Sequence, residues 1–289
     1  MFAPVALAAY AAVYAARART LTRRDHPVPT WRLACFAGGI AALLLATSVP
    51  IDDEADRYFS AHMAEHLVIG DIAPLLVVLG CSGPVLAPLL GVRAIGRLRV
   101  LTHPVVAFTL WAADLYLWHL RIGYEGALQH DVVHALQHIC FFTFGALLWM
   151  PLFGPLPKPA WFGNGARLIY IVVVRFGGAV LANILLWSGS ALYPDYGPGE
   201  AAHGISALAD QGAAGVVMMI EQGLVTLGLF AWLFFRAASE SEERQRLLDL
   251  AAERGVALDE ARAARAVAAG QGERLRERIA GPPVGSGEQ

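Results

Sequence analysis

Long apolar runs separated by short polar connections dominate the first 235 residues of the chain. A helix needs about 20 apolar residues to cross the hydrocarbon core of a bilayer, which is roughly 30 Å thick. The pattern predicts seven membrane-spanning helices, at residues 2–18, 31–49, 59–80, 103–120, 132–152, 166–187 and 211–235. We therefore expect an all-α polytopic membrane protein surrounded by a lipid bilayer.

The charges of the connections predict an orientation for these spans. Basic residues concentrate in the links after spans one, three and five and in the tail, whereas residues 51–58 are acidic and residues 188–210 contain no Lys or Arg. The basic residues of the links are Arg17, Arg19, Arg23, Arg24, Arg93, Arg97, Arg99, Lys158 and Arg167. By the positive-inside rule, the N-terminus lies outside and the C-terminus lies in the cytoplasm.

A change in character near residue 237 predicts two parts. Residues 1–236 form the seven-helix transmembrane domain, and residues 237–289 form a charged cytoplasmic tail that is helical in part and disordered from Gly281 to Gln289. Leu247, Leu248 and Leu250 are expected to pack on a partner or along the membrane surface.

Composition excludes several classes of function. Charged residues make up 16% of the chain, against about 25% in an average soluble domain. The net charge is −2 and no basic patch with interleaved aromatic residues occurs, so we expect no nucleic-acid partner. The three cysteines lie far apart without a C-x-x-C pair, which argues against a disulfide framework or a thiol metal carrier.

Five histidines are candidates for a metal site: His62, His66, His119, His134 and His138. Two pairs of them have i,i+4 spacing, so each pair shares one face of its helix. The predicted directions of spans three, four and five bring all five to the outer side at similar depth. Imidazole is the commonest metal ligand in proteins, and the pattern therefore predicts a metal site.

Copper is the predicted metal, because the affinity of nitrogen ligands for divalent metals peaks at copper. Met218 in span seven could add a thioether, although packing is the commoner role of such a residue. Met63 and Glu65 are expected to point away from the histidine set, since adjacent residues diverge around a helix. A haem-binding membrane redox protein that uses the same histidines stays open as an alternative.

Four charged residues fall inside predicted spans: Asp71, Asp114, Arg175 and Glu221. An unpaired charge is costly in a bilayer, so Arg175 is expected to form an ion pair with one of the three acids. A proton-coupled transporter built on these residues is a second alternative function. Asp210 is expected to cap the N-terminus of span seven.

Several segments resemble the CtaG-like cytochrome c oxidase assembly factors of bacteria, over roughly residues 30 to 235. The segments are Ser60-Ala61-His62-Met63-Ala64-Glu65-His66-Leu67, Ala73-Pro74-Leu75-Leu76, His103-Pro104, Trp118-His119-Leu120, His134-Ala135-Leu136-Gln137-His138 and Asp210-Gln211 with Gly215 and Met218. The sequence departs from the family pattern at Glu65, Arg121 and Met219, and none of these departures removes a histidine.

The resemblance implies a non-enzymatic, multi-pass protein of the bacterial cytoplasmic membrane that helps to mature a haem–copper oxidase. It implies an oxidase subunit as partner and His62, His66, His119, His134 and His138 as copper ligands. Copper would be delivered to the subunit, or the subunit would be held in a metal-ready state. Whether the protein is a monomer or a homo-oligomer stays open.

Overall fold

The computed structural model describes residues 2–91 and 98–281, and within these ranges the regular structure is helical. The helices are α1 (Phe2–Thr22), α2 (Thr30–Ala46), α3 (Val49–Ala55), α4 (Phe59–Leu67), α5 (Ala73–Gly80), α6 (Gly83–Leu90), α7 (Pro104–Trp118), α8 (Arg121–Gln129), α9 (Asp131–Phe153), α10 (Asn164–Trp187), α11 (Gly197–Ala202), α12 (Ala207–Glu253), α13 (Glu260–Ala268) and α14 (Gly272–Ala280). A π-helical turn, Val68–Ile72, joins α4 to α5, and short 3₁₀ turns lie at Leu98–Thr102 and Pro194–Tyr196.

The helices confirm an all-α chain with segments that can cross a membrane. Four helical stretches in the described residues are long and apolar enough to cross a membrane, namely Phe59–Gly80, Asp131–Phe153, Asn164–Trp187 and Ala207–Glu253. The pair α2 and α3 makes a fifth if the 57° bend between them lies within one span, and α7 is apolar but only 15 residues long. The full set of seven spans and the orientation stay predictions.

Two parts of the sequence-based prediction fall outside the described residues. Arg93 and Arg97, which contribute to the predicted inner link after span three, lie between the two described ranges. The terminal segment that is predicted to be disordered lies outside them from Pro282 onward.

The two helical stretches that carry the paired histidines pack directly against each other. Within Phe59–Gly80, the π turn and α5 pack along α9. At the closest point, a Cβ atom added to Gly145 of α9 would overlap the carbonyl oxygen of Gly70 in the π turn. Small residues at such contacts let two membrane helices approach closely, and here they bring the histidines of α4 and α9 within reach of one another.

A buried ion pair lies beside the π turn. Arg175 of α10 donates to both carboxylate oxygens of Asp71, at 2.7 and 3.4 Å, and lies 3.7 Å from Glu221 of α12. The predicted pairing of Arg175 is therefore confirmed, with Asp71 and Glu221 as its acids, while Asp114 hydrogen-bonds Trp118 on its own helix. The Trp149 indole donates to the Asp71 carbonyl oxygen at 3.1 Å, which satisfies a backbone group next to the π turn.

Among the described residues, those from Leu227 to Gly281 form a second compact unit with its own apolar cluster. In this unit, Leu247 of α12 is buried against Val267, Leu275 and Ile279, and Leu250 packs on the same cluster. The expectation that Leu247 and Leu250 pack on a partner or on the membrane is therefore wrong, because α13 and α14 present amphipathic faces that cover them.

We predict that Gly145→Leu destabilises the protein by about 1–3 kcal/mol, the usual cost of overpacking, because the new side chain would collide with Gly70. Thermal unfolding in detergent measures the effect. Gly223→Leu on α12 is the matched control, since a Cβ atom there meets nothing within 4 Å. Equal melting temperatures for the two variants would show that the contact between the helices does not limit stability.

Candidate metal centre

Four of the five predicted histidines meet in one cluster between α4 and α9. The ring centroids lie 4.1 Å apart for His62 and His66 and 4.3 Å apart for His134 and His138. Across the helix interface, the separations are 5.4 Å for His62 and His134 and 5.3 Å for His66 and His138. The i,i+4 spacing places each pair on one face, and the packing of the helices turns the two faces toward each other.

Two of these rings are buried and two are half-buried, and all four are incompletely hydrogen-bonded. His62 and His66 are 1% and 6% exposed, although imidazole nitrogens ordinarily find a partner when buried. Within the described part of the chain, Nδ1 of His62, both nitrogens of His66, and Nε2 of His134 and His138 have no hydrogen-bond partner. The His62 ring is held by a hydrogen bond to the backbone of Ala55. Nitrogen atoms of this kind are suited to bind a cation.

The ligand atoms form two overlapping groups of three. One group is His62, His66 and His134, the other is Glu65, His134 and His138, and within each group the atoms lie within 4.8 Å of one another. Metal–nitrogen bonds of about 2.0 Å place two ligands of one ion at most about 4 Å apart. Small side-chain rotations would therefore let either group hold a transition-metal ion.

Glu65 lies inside this cluster, so the expectation that it points away is wrong. Its side chain is completely buried, and its Oε1 atom is 3.8 Å from Nε2 of His138. The i,i+3 spacing from His62 was the signal in the sequence, because residues three apart also lie on neighbouring positions of a helix face.

His119 lies near the cluster but belongs to neither group of three. Its Nδ1 atom is 2.7 Å from the Leu115 carbonyl oxygen, to which it donates, and this tautomer leaves the lone pair on Nε2, which is buried without a partner. His119 and His66 line a cavity of about 50 Å³ together with Met63 and Met218. The cavity can hold an ion or a few water molecules. Met63 lines this cavity, while the expectation that its thioether stays outside the histidine set stays a prediction.

Three tyrosines that the sequence did not single out cover one side of the cluster. The hydroxyl groups of Tyr124 and Tyr196 are hydrogen-bonded at 2.7 Å, and the Tyr124 ring lies 5.4 Å from His62. Tyr193 donates to the carbonyl oxygen of His119 at 2.6 Å. Burial raises the pKa of Tyr193 to about 12, so the hydroxyl keeps its proton at neutral pH. Aromatic residues in the predicted outer connections were the available signal.

Asp210 anchors the helix that carries His62 and His66. Its carboxylate accepts hydrogen bonds from the backbone amides of Phe59 and Ser60, at 2.6 and 3.3 Å, and from the Ser60 hydroxyl. The predicted role as the cap of its own helix is wrong, because α12 already begins at Ala207. Asp210 instead satisfies the first amides of α4, where the helix dipole favours a negative charge.

Gln211 ties the neighbouring loop to the same region. Its Nε2 atom donates to the carbonyl oxygen of Leu185 at 3.1 Å, and its Oε1 atom accepts from the amide of Leu192 at 2.7 Å. The pair Asp210-Gln211 therefore positions both the first turn of α4 and the chain segment that carries Tyr193.

We predict that Asp210→Ala lowers the free energy of unfolding by about 0.5–2 kcal/mol, as expected for the loss of a helix cap. The amides of Phe59 and Ser60 should also exchange their hydrogens faster in mass-spectrometric hydrogen exchange. Asp249→Ala, which removes an exposed acid from the same helix α12, is the control. Unchanged exchange at residues 59 and 60 would contradict the capping role.

Comparison with known proteins identifies a family that the chain matches. Residues 12–240 match the cytochrome c oxidase caa3 assembly factor family. Uncharacterized proteins of Mycobacterium bovis and Mycobacterium tuberculosis are each 30% identical over 164 residues, which is 50% of this chain and 24% of theirs. An uncharacterized protein of Mycobacterium leprae is 24% identical over 192 residues, 60% of this chain and 29% of its own. The matches thus span about a quarter of the length of these relatives, and no solved structure matches the chain significantly.

Proposed function

Because the chain belongs to the cytochrome c oxidase caa3 assembly factor family, we propose that it binds copper at the histidine cluster and delivers it to a haem–copper oxidase subunit. The protein would act without catalysis, as a copper chaperone in the cytoplasmic membrane of a bacterium. Family membership supports the role in oxidase assembly. The observation that carries the copper proposal is the buried set of imidazoles on α4 and α9 whose ring nitrogens lack hydrogen-bond partners.

The surroundings of the cluster favour copper among the metals that imidazole binds. Copper(II) accepts imidazole nitrogen, and copper(I) also accepts thioether sulfur. Met63 and Met218 are both buried and line the cavity next to His66 and His119. A site with nitrogen and sulfur atoms within one small region can hold either oxidation state of copper.

Charges near the cluster favour the entry of a cation. The acidic residues of α3 and its end, Asp52, Asp53, Glu54 and Asp56, are exposed on the segment that leads into α4. Clustered negative charge raises the local concentration of cations and speeds their association. Arg121, which adds a positive charge on this side, is paired with Glu125.

Release to a partner would proceed by ligand exchange. A copper ion that is held by several neutral imidazoles can exchange them one at a time for ligands of the oxidase subunit, so no free ion has to form. Tyr124, Tyr193 and Tyr196 cover the cluster on one side, and the chain segment that carries Tyr193 and Tyr196 would have to yield for a protein partner to reach the ligands.

The two alternative functions fit this geometry less well. A haem needs a pocket at the scale of a drug-sized ligand, about 300 Å³ or more, whereas the cavity beside His66 measures about 50 Å³. The acids that a proton-coupled transporter would use are partly neutralised, since Asp71 and Glu221 share Arg175.

We predict that the purified protein binds about one equivalent of copper and that the His62/His66/His134/His138→Ala variant loses it, because these rings hold five of the six imidazole nitrogens that are buried without a partner in the described residues. Elemental mass spectrometry after copper loading and an optical spectrum measure both properties. A variant with His103, His130 and His203 changed to Ala controls for non-specific binding to histidine. A Soret band in the wild-type protein, or equal copper in the two variants, would refute the proposal.

The role in oxidase assembly requires a test in cells. In a bacterium whose own member of the family is deleted, the wild-type chain should restore copper-containing, active oxidase, and the quadruple histidine variant should not. Oxidase activity and copper per haem in isolated membranes are the measurements. If the quadruple variant restores oxidase activity at equal expression, the protein assists assembly without binding copper through these histidines, and the copper proposal is refuted.

A further inference from the structure

Glu65 is a buried carboxylate without a hydrogen-bond donor. Its side chain has no exposed surface, and neither oxygen has a hydrogen-bond partner within the described part of the chain. Removing a carboxylate from water is very costly unless charge or hydrogen bonds compensate for it. A protonated carboxyl group would be less costly to bury, but its hydroxyl hydrogen would still need an acceptor, which the described residues do not supply at hydrogen-bond distance.

The basic groups around Glu65 do not supply that compensation. His138 is the ion-pair partner that the described residues provide, and its Nε2 atom lies at 3.8 Å, beyond hydrogen-bond distance. Arg175, the buried arginine of the helix bundle, is engaged with Asp71 and Glu221. A bound cation would supply the missing positive charge.

The position of Glu65 defines where that cation would lie. Its ligand atom and those of His134 and His138 lie within 4.8 Å of one another, as do those of His62, His66 and His134. His134 belongs to both groups. A neutral imidazole has one nitrogen lone pair to offer, so His134 can bind an ion in one group or in the other, but not in both at once.

We propose that Glu65, His134 and His138 form a second copper position, which alternates with the position formed by His62, His66 and His134. One ion passes between the two positions by exchanging ligands while His134 stays bound. This inference rests on the proposed copper function and adds to it a route for the ion within the cluster. The two positions differ in charge by one unit, and the carboxylate oxygen is the harder ligand, which favours copper(II) at the second position.

Gln137 of α9 occupies the position that corresponds to Glu65 of α4. Gln137 lies three residues after His134, as Glu65 lies three residues after His62. Gln137 is also buried without hydrogen-bond partners for its amide. The cluster therefore has a carboxylate on α4 and an amide at the matching position of α9. Glu65→Gln places an amide at both positions, and it removes the charge without a change in side-chain size.

The test uses the full-length protein in detergent and copper(II) as the probe. The His62/His66→Ala variant removes two ligands of the first position and should still bind one copper(II) at the second position. Adding Glu65→Gln to it should weaken binding on the order of tenfold to a hundredfold, as the loss of groups that support metal ligands commonly does. Adding Glu253→Gln instead is the matched control, since it removes an exposed carboxylate of α12 that has no role in the proposed site. Competition with a chelator measures the dissociation constants.

Glu65→Gln alone provides a second measurement that does not depend on the alanine variants. The electron paramagnetic resonance spectrum of copper(II) should contain two components in the wild-type protein and one in Glu65→Gln. Identical spectra and equal affinities with and without Glu65→Gln would overturn the second position and leave the proposed copper function intact. A wild-type protein that binds no copper would overturn the proposed function itself.

Discussion

The close contact between the π turn and α9 is the constraint on which the candidate metal centre depends. Because Gly70 and Gly145 have no side chains, the backbones approach until a single added carbon atom would collide. This approach brings ring centroids on the two helices to within 5.4 Å of each other.

Two buried carboxylates of the stretch Phe59–Gly80, those of Asp71 and Glu65, have different surroundings. Asp71 is matched by Arg175, with Glu221 close by, and this pairing also holds α10 and α12 against the π turn. Glu65 lies nearer the start of the stretch and has no such match. An ion pair within the bundle therefore contributes to packing, whereas the carboxylate beside the histidines is suited to an exchangeable cation.

Much of this site could be predicted from spacing along one helix. The i,i+4 pairs, the pairing of Arg175 and the apolar spans follow from periodicity and from the cost of charge in a bilayer. The capping of α4 by Asp210 could not be foreseen, because it joins residues 150 positions apart and depends on how α12 packs. The orientation of Glu65 depended on which face of α4 meets α9. His119 was grouped with the other histidines by depth alone, but its ring faces a neighbouring cavity.

The stretch Phe59–Gly80 is held at two points, and the π turn Val68–Ile72 lies at the second of them. Asp210 holds the start of the stretch, and Arg175 and Trp149 hold Asp71. A π turn contains one more residue than an α-helical turn, and it takes up that residue between these two points. The turn therefore shifts the helical register, so that the histidines of α4 and the apolar residues of α5 meet their neighbours in different registers.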